Sequence, residues 1–429
     1  MKSGISRRAD RAALLGTRCG RRVGAVGAIV GTLAALSVGP APGAAAADAQ
    51  SRQWYLRPMQ TEQMWKVSTG EGVKIALIDT GVNPDTPSLK GQVLADEVPK
   101  SVAYRATDDY SGHGTSMAEL IAGTGAEGGL RGLAPGAGVV PYRVQLEGLK
   151  DGADKDRTPY AWQALRAAAD TDAKIISMSF GGMYSEDSKA AIKYAASKGK
   201  LLVAAVGAAG HPDMPAAHPY VLGIAAVDSS YTVTKSSEIS SQGYADLAAP
   251  GKSIPAWCDQ TFRSYCDEAG SSQATALVSA AAALIWSAHP DWTVNQVTRA
   301  LIDTASRSWP KDKPSRYVGY GFIRPRIVLA NPDYDAGAPD IDPLAKVNGG
   351  DLLAKSADKA ERASTSPTPS ASDRSPTPDG ASTGGTSATG ASAESADDST
   401  TLWIALGVTV ALVVIGGAGG AVLRARRSR

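Results

Sequence analysis

The stretch Ser111-Gly-His-Gly-Thr-Ser-Met-Ala118 decides the fold assignment, because it sets a histidine between two glycines at the start of an apolar helical segment. The chain holds four histidines, His113, His211, His218 and His289. His113 alone is flanked by glycines, which let a substrate or another backbone segment approach closely. A lone histidine is more often structural than catalytic, but this setting favours a catalytic role for His113.

Asp79 stands at the end of a second informative segment. The apolar run Val73-Lys-Ile-Ala-Leu-Ile78 predicts a buried strand, and Asp79-Thr80-Gly81 follows it directly. A carboxylate at the tip of a buried strand is held rigidly and partly desolvated, as the acid that orients a catalytic histidine must be. An aspartate that merely begins a turn after a strand is the alternative, and such aspartates are common.

Ser272 lies in a third segment, Gly270-Ser-Ser-Gln-Ala-Thr275, where an Ala-rich helix begins. The start of a helix offers free backbone N–H groups, and the helix dipole favours a negative charge that develops there. These are useful surroundings for a nucleophilic serine. A serine that only caps the helix is the alternative.

The rest of the chain alternates between short apolar runs and longer helical stretches. The predicted strands are Val73–Ile78, Lys174–Ser179, Leu201–Val206 and Val221–Val227. The predicted helices are Tyr160–Ala169, Ser185–Lys198, Ser272–Ser287 and Val294–Ala305. Strands that are apolar throughout and separated by helices indicate an α/β fold, with a mostly parallel sheet and helices on both faces. In such folds the reactive groups gather beyond the carboxyl ends of the strands.

Taken together, the three segments resemble, in order and spacing, the signature segments of the subtilisin superfamily: Asp79-Thr80-Gly81, Gly112-His113-Gly114-Thr115 and Gly270-Ser271-Ser272. Four further stretches follow in the family's order: Gly132–Ala137, Ser177–Gly182, Ala248–Gly251 and Gly319–Phe322. The resemblance covers nearly all of residues 52–331, which we predict to form one peptidase domain. It implies a subtilisin-like fold.

The resemblance also implies a reaction and a role for each residue. His113 would accept the proton of Ser272, whose oxygen attacks a peptide carbonyl, while Asp79 would orient the histidine. The backbone N–H of Ser272 would contribute to the oxyanion hole. An added strand of substrate would pair with six residues: Ser177, Met178, Ser179, Phe180, Gly181 and Gly182.

The sequence departs from the family at the second oxyanion donor. Subtilases carry an asparagine in an Ala-Ala-Gly-Asn-type segment after a buried strand, and here that position is Ala208. Loss of this donor costs subtilisin about 10²–10³ in turnover. His211 or a water molecule could replace it, and the sequence leaves both alternatives open.

Both ends of the chain carry membrane-related signals. Residues 1–47 join a basic stretch, an uncharged apolar run and a small-residue segment, as in a signal peptide; an N-terminal membrane anchor is the alternative. Residues 332–400 are predicted to be a disordered stalk rich in Ser, Thr, Pro and Ala. Residues 402–423 are uncharged and long enough to cross a hydrocarbon core of about 30 Å, with a buried core helix as the alternative.

The four arginines within residues 424–429 predict a cytoplasmic tail and an extracellular peptidase domain at the plasma membrane. This anatomy resembles that of the mycosins, the membrane-anchored subtilases associated with type VII secretion in actinobacteria. The resemblance implies protein or peptide substrates and membrane components of that secretion system as partners.

Cysteine usage fits an exported chain. Removal of the signal would remove Cys19 and leave Cys258 and Cys266, which most simply form one disulfide. Two free buried thiols are the alternative.

The formal net charge of +2 gives no nucleic-acid footprint, and the sequence shows no metal-ligand spacing, so we expect no cofactor. Two functions are compatible with these observations. The first is an active serine endopeptidase, slowed by Ala208. The second is a weakly active or inactive subtilase that serves as a scaffold subunit of a secretion complex.

Overall fold

A computed structural model describes residues 49–207, 215–234 and 244–348 of the chain. Its centre is a six-stranded sheet in the order β2-β1-β3-β4-β5-β6, in which every neighbouring pair is parallel. The strands are β1 (Lys74–Asp79), β2 (Gly138–Arg143), β3 (Ile175–Met178), β4 (Leu201–Ala205), β5 (Val221–Val227) and β6 (Leu247–Pro250). An antiparallel hairpin follows, formed by β7 (Lys252–Trp257) and β8 (Tyr265–Ala269). The predicted α/β class is confirmed.

The five longest helices of the described residues are α1 (His113–Ala122), α2 (Ala161–Ala169), α3 (Glu186–Ser197), α4 (Ser271–Ala288) and α5 (Val294–Thr304). Shorter α-helices span Leu56–Met59, Thr61–Met64, Ala153–Arg157, Pro325–Leu329 and Ala345–Asn348. Single 3₁₀ turns span Pro87–Leu89, Ala95–Glu97 and Ala126–Gly128.

The strands bury both faces, as their uninterrupted apolar character requires. In β1, Ile75 and Leu77 contribute to an apolar cluster with α1, α4 and α5, whereas Ala76 and Ile78 contribute to a second cluster with α2 and α3. Because successive side chains of a strand point to opposite faces, one apolar run supplies both cores. The result is a three-layer arrangement of helices, sheet and helices.

Helix α4 is buried over most of its length. Every residue from Gln273 to Trp286 is buried, and the run Ala280–Ala283 lies within the cluster shared with the sheet. Alanine side chains let a helix backbone approach the sheet closely while keeping a high helix propensity. The serine-bearing end of α4 is therefore fixed by the core itself.

The predicted strands and helices are all present, with ends shifted by one residue or less at most positions. Prediction from the sequence missed β2, β6 and the hairpin. β2 and β6 are the two edges of the sheet and contain Pro141 and Pro250. Proline is tolerated in an edge strand because its missing N–H need not face a neighbour. A proline within an apolar run argues against a central strand, and these two strands were therefore not predicted.

The folded region extends beyond the predicted boundary at Asn331. Arg299 on α5 donates to the carbonyls of Ala336 and Ala338, and Leu344 is buried against the larger cluster. Residues 332–348, assigned to the stalk by their composition, thus pack on the domain; residues 349–400 of the predicted stalk lie outside the described residues.

Within the described ranges, no helix combines the length and the apolar character needed to cross a membrane. The predicted signal peptide (1–47), spanning segment (402–423) and basic tail (424–429) all lie outside those ranges.

Candidate active site

The carboxyl end of β1 and the amino end of α1 bring Asp79 and His113 together. His113 Nδ1 lies 2.7 Å from Asp79 Oδ1, and the Asp79 side chain is fully buried. Asp79 Oδ1 also accepts from the backbone N–H of Thr80 at 2.8 Å. With Nδ1–H donated to the carboxylate, Nε2 of His113 is left as the basic nitrogen.

The surroundings of His113 raise its pKa above the usual value of 6.5. Burial, the largest influence, lowers the pKa, although the side chain keeps 36% of its surface exposed. The charge of Asp79 and its hydrogen bond, followed by the charges of Asp109 and Glu268, raise it by more. The imidazolium that forms when the histidine accepts a proton is therefore stabilised.

Asp109, which the sequence reasoning missed, holds the loop that presents His113. Its buried carboxylate accepts the backbone N–H groups of Ser111, Gly112 and Thr115 at 2.8–3.0 Å, and the hydroxyls of Thr80 and Thr115 at 2.6–2.7 Å. It thereby joins the turn after β1 to the first turn of α1. An aspartate four residues before the histidine of the Gly-His-Gly segment was the available signal.

Gly114 lets the start of α1 contact the turn after β1. A Cβ at this position would lie 2.1 Å from the carbonyl oxygen of Gly81 and 3.2 Å from Asp79 Cβ. No side chain fits in that space, so the hydrogen bond between Asp79 and His113 depends on the glycine.

Ser272 lies in the first turn of α4 and is half-buried. The neighbouring Ser271 Oγ donates to the Val206 carbonyl at the end of β4. Ser179, just after β3, donates through its Oγ to the carbonyl of Ser272 at 3.1 Å. The predicted nucleophile is thus positioned by contacts from two neighbouring strands.

The hydroxyl of Ser272 donates to the carbonyl of Ser179 at 3.1 Å. Among the described residues it makes no hydrogen bond with His113. The structure therefore brings Asp79 and His113 into contact and leaves the Ser272 hydroxyl turned to another acceptor.

The six residues predicted to bind substrate divide into two groups. Ser177 and Met178 are fully buried within β3, between β1 and β4, and Ser179 directly after the strand is also buried. Gly181 and Gly182 are exposed and Phe180 is half-buried. The part of the segment that can pair with a substrate strand therefore lies beyond the end of β3.

The β7–β8 hairpin packs beside His113. The predicted disulfide between Cys258 and Cys266 is present and joins the two strands near their loop. A Cβ on Gly112 would lie 2.8 Å from the Asp259 carbonyl oxygen, so the hairpin loop touches the residue before His113. Tyr265 OH donates to Glu119 of α1 at 2.7 Å, and burial raises the pKa of this carboxyl to about 7.

Ala208, at the predicted position of the second oxyanion donor, lies outside the described residues, as does His211. The backbone N–H of Ser272, in the first turn of α4, is free of the helix's own hydrogen bonds. No group of three or more His, Cys, Asp or Glu side chains in the described ranges is arranged to hold a metal ion.

Comparison with known proteins gives matches of sequence and of structure. The family model described as "Subtilase family" matches residues 70–321. Thermitase of Thermoactinomyces vulgaris is 31% identical over 286 residues, which cover 62% of this chain and 95% of thermitase. The major intracellular serine protease of Bacillus subtilis is 29% identical over 287 residues, which cover 62% of this chain and 86% of that protein.

Solved structures of the same architecture include the MycP3 protease from the type VII (ESX-3) secretion system. It is 27% identical with a TM-score of 0.50, and the match covers 68% of this chain and 90% of MycP3. MycP1 of the type VII (ESX-1) system is 24% identical with a TM-score of 0.52, covering 66% and 89%, and it supports the fold alone.

A first prediction concerns pH. Because His113 must be neutral to accept a proton, kcat/KM for a peptide substrate should fall as the pH drops through a midpoint above 6.5. The same raised pKa stabilises the fold at low pH, and that contribution is lost as the pH rises through the pKa of the folded state. Glu268→Gln should lower the kinetic midpoint, and Glu186→Gln on α3 should not. A midpoint unaffected by Glu268→Gln would contradict this electrostatic picture.

A second prediction concerns Asp109. Asp109→Asn leaves backbone donors of the loop facing an amide NH₂ group, so urea denaturation should show a loss of about 2–4 kcal/mol in unfolding free energy. Asp108→Asn is the matched control. Asp108 pairs with Arg105 at the surface, with 41% of its side chain exposed, and its loss should cost under about 1 kcal/mol. Equal losses in the two variants would show that Asp109 does not hold the loop.

Proposed function

The chain belongs to the subtilase family, and we propose that it is a serine endopeptidase in which Asp79, His113 and Ser272 form the catalytic triad. The observation that carries this proposal is the 2.7 Å contact between His113 Nδ1 and a fully buried Asp79. That contact fixes the tautomer in which Nε2 is the base. A histidine held in this way is built to accept a proton.

The reaction is acyl transfer to water in two stages. In the reaction, the Ser272 side chain would leave the Ser179 carbonyl, to which it now donates, and offer its hydroxyl to His113 Nε2. His113 takes the hydroxyl proton as Oγ attacks the peptide carbonyl, and it then returns the proton to the leaving amine. Water repeats the sequence on the acyl-enzyme and releases the acid. Asp79 stabilises the imidazolium throughout, and the N–H of Ser272 binds the oxyanion.

The same proposal places the domain outside the plasma membrane. Residues 1–47 would direct export, residues 402–423 would span the bilayer once, and the basic residues 424–429 would keep the C-terminus in the cytoplasm. Tethering at the membrane would confine activity to proteins or peptides that reach its outer surface.

The fold that the chain shares with MycP3 supports a role beside a type VII secretion system. In this role the substrates would be proteins or peptides that pass through or belong to the secretion apparatus. Its membrane components would be the physical partners of the tethered peptidase.

Two observations favour a second function. The Ser272 hydroxyl is engaged by Ser179, and Ala208 stands where subtilases carry a donor asparagine. Both features fit a weakly active or inactive subtilase that acts as a scaffold subunit of a secretion complex. The two functions differ in how readily Ser272 can be acylated.

A third prediction separates them. The full-length chain in detergent should react with a fluorophosphonate probe at Ser272, because His113 can activate that hydroxyl. Ser272→Ala should abolish labelling, whereas Ser271→Ala should still label, since it removes a bond to the Val206 carbonyl and leaves the Ser272 hydroxyl in place. Mass spectrometry of the labelled peptide identifies which of the two serines reacts. A folded, disulfide-bonded chain that does not label would favour the scaffold function.

A further inference from the structure

Few amide side chains could serve as a second oxyanion donor near Ser272. The chain contains four asparagines, Asn83, Asn295, Asn331 and Asn348. None of them lies in the segment after β4, where Ala208 stands at the family's donor position. Asn83 follows β1, and Asn295 Nδ2 already donates to the Pro339 carbonyl at 3.1 Å. The usual side chain cannot supply the donor in this protein.

Gln273, the residue after Ser272, is a buried amide with an unusual environment. It is only 5% exposed. Its Oε1 is sealed from solvent and makes no hydrogen bond with any described residue. Nε2 likewise makes no hydrogen bond with any described residue, but it remains accessible to solvent. An unused amide donor is therefore present one residue from the nucleophile, in the same helical turn.

Gln273 does not cap its own helix, which is the usual structural role of a glutamine at this position. Gln273 is the third residue of α4, where a glutamine side chain usually accepts the N–H of the residue that caps the helix. That residue is Gly270, and its N–H donates instead to the Gly251 carbonyl at 2.8 Å. Gln273 Oε1 lies over Gly270, since a Cβ built there would be 3.1 Å away, yet it receives no proton from it.

Gln273 keeps a buried acceptor atom without a partner among the described residues, and this costs stability. An unpartnered buried carbonyl carries a desolvation penalty, and a catalytic role is one of the reasons for which native proteins retain such groups. The acceptor of this amide, Oε1, is sealed from solvent, whereas its donor, Nε2, is accessible. A ligand that accepts hydrogen bonds, such as a carbonyl oxygen that becomes an oxyanion, complements that arrangement.

We propose that Gln273 Nε2 is the second oxyanion donor of this peptidase and takes the place of the asparagine side chain that is missing at Ala208. This inference rests on the proposed function. During attack by Ser272, the carbonyl oxygen of the scissile bond gains negative charge between the backbone N–H of Ser272 and the amide of Gln273. The glutamine forms no covalent bond and transfers no proton.

The test is Gln273→Met in the full-length chain, a volume-conserving change that removes only the amide. We expect kcat for a peptide substrate to fall by about 10²-fold, with KM changed by less than about threefold, because the lost interaction forms only in the transition state. The melting temperature should not fall, since an unpartnered buried carbonyl is removed. Gln63→Met, at an exposed position, is the matched control and should leave turnover unchanged.

Restoring the family's asparagine supplies a readout that a structural role would not give. Ala208→Asn should rescue Gln273→Met by at least about tenfold in kcat and should improve the parent chain by much less. Turnover of Gln273→Met within about twofold of the parent would overturn the inference. The inference would also be overturned if Gln273→Met lowered kcat by the same factor in the parent chain and in the Ala208→Asn variant. Such a result would show that Gln273 acts independently of the oxyanion.

The fluorophosphonate reaction separates failure of this inference from failure of the proposed function. If the parent chain labels and turns over substrate and Gln273→Met has no effect, the peptidase function stands and the oxyanion role of Gln273 is rejected. A parent chain that neither labels nor turns over substrate rejects both.

Discussion

The active-site half of this molecule depends on one buried carboxylate, that of Asp109. It accepts three backbone N–H groups and two hydroxyls, and so ties the turn after β1 to the first turn of α1. Asp79 and His113 stand on those two turns, and Gly114 allows the turns to touch. A buried carboxylate is costly unless its oxygens are well supplied with donors. Here the donors belong to the two segments that carry Asp79 and His113, so the hydrogen bonds that keep the charge buried also align those two side chains.

Ser272, the proposed nucleophile, is positioned mainly by packing. Ser272 belongs to α4, whose burial from Gln273 to Trp286 makes it the centre of the larger core cluster. Ser271 and Ser179 then fix its first turn against the ends of β4 and β3. Polar contacts hold Asp79 and His113, whereas packing of α4 together with two hydrogen bonds holds Ser272. The two arrangements meet at the carboxyl edge of one parallel sheet. Polar atoms left without partners among the described residues, Asp79 Oδ2 and Gln273 Oε1, also occur at this edge, where stability is commonly exchanged for function.

Much of the fold and of the candidate site could be predicted from the sequence, because strongly apolar strands and the Gly-flanked His113 leave local patterns. β5 was predicted with its observed ends, and the α/β class followed from four such strands. The edge strands β2 and β6 were missed because Pro141 and Pro250 break the pattern without breaking an edge strand. Asp109 and Gln273 were missed for another reason. Their roles come from partners brought together by the tertiary fold, and no local spacing records that Gly270 N–H bonds to Gly251 rather than to Gln273.

The central claim is that the buried Asp79–His113 pair activates Ser272 for acyl transfer. The most direct measurement is a crystal structure of the chain treated with a peptidyl boronic acid, which mimics the tetrahedral intermediate. We predict a covalent bond from Ser272 Oγ to boron, with the Asp79–His113 contact retained. One boronate oxygen should lie within hydrogen-bond distance of the Ser272 backbone nitrogen. An occupied cleft in which Ser272 Oγ still donates to Ser179, with no bond to boron, would contradict the account.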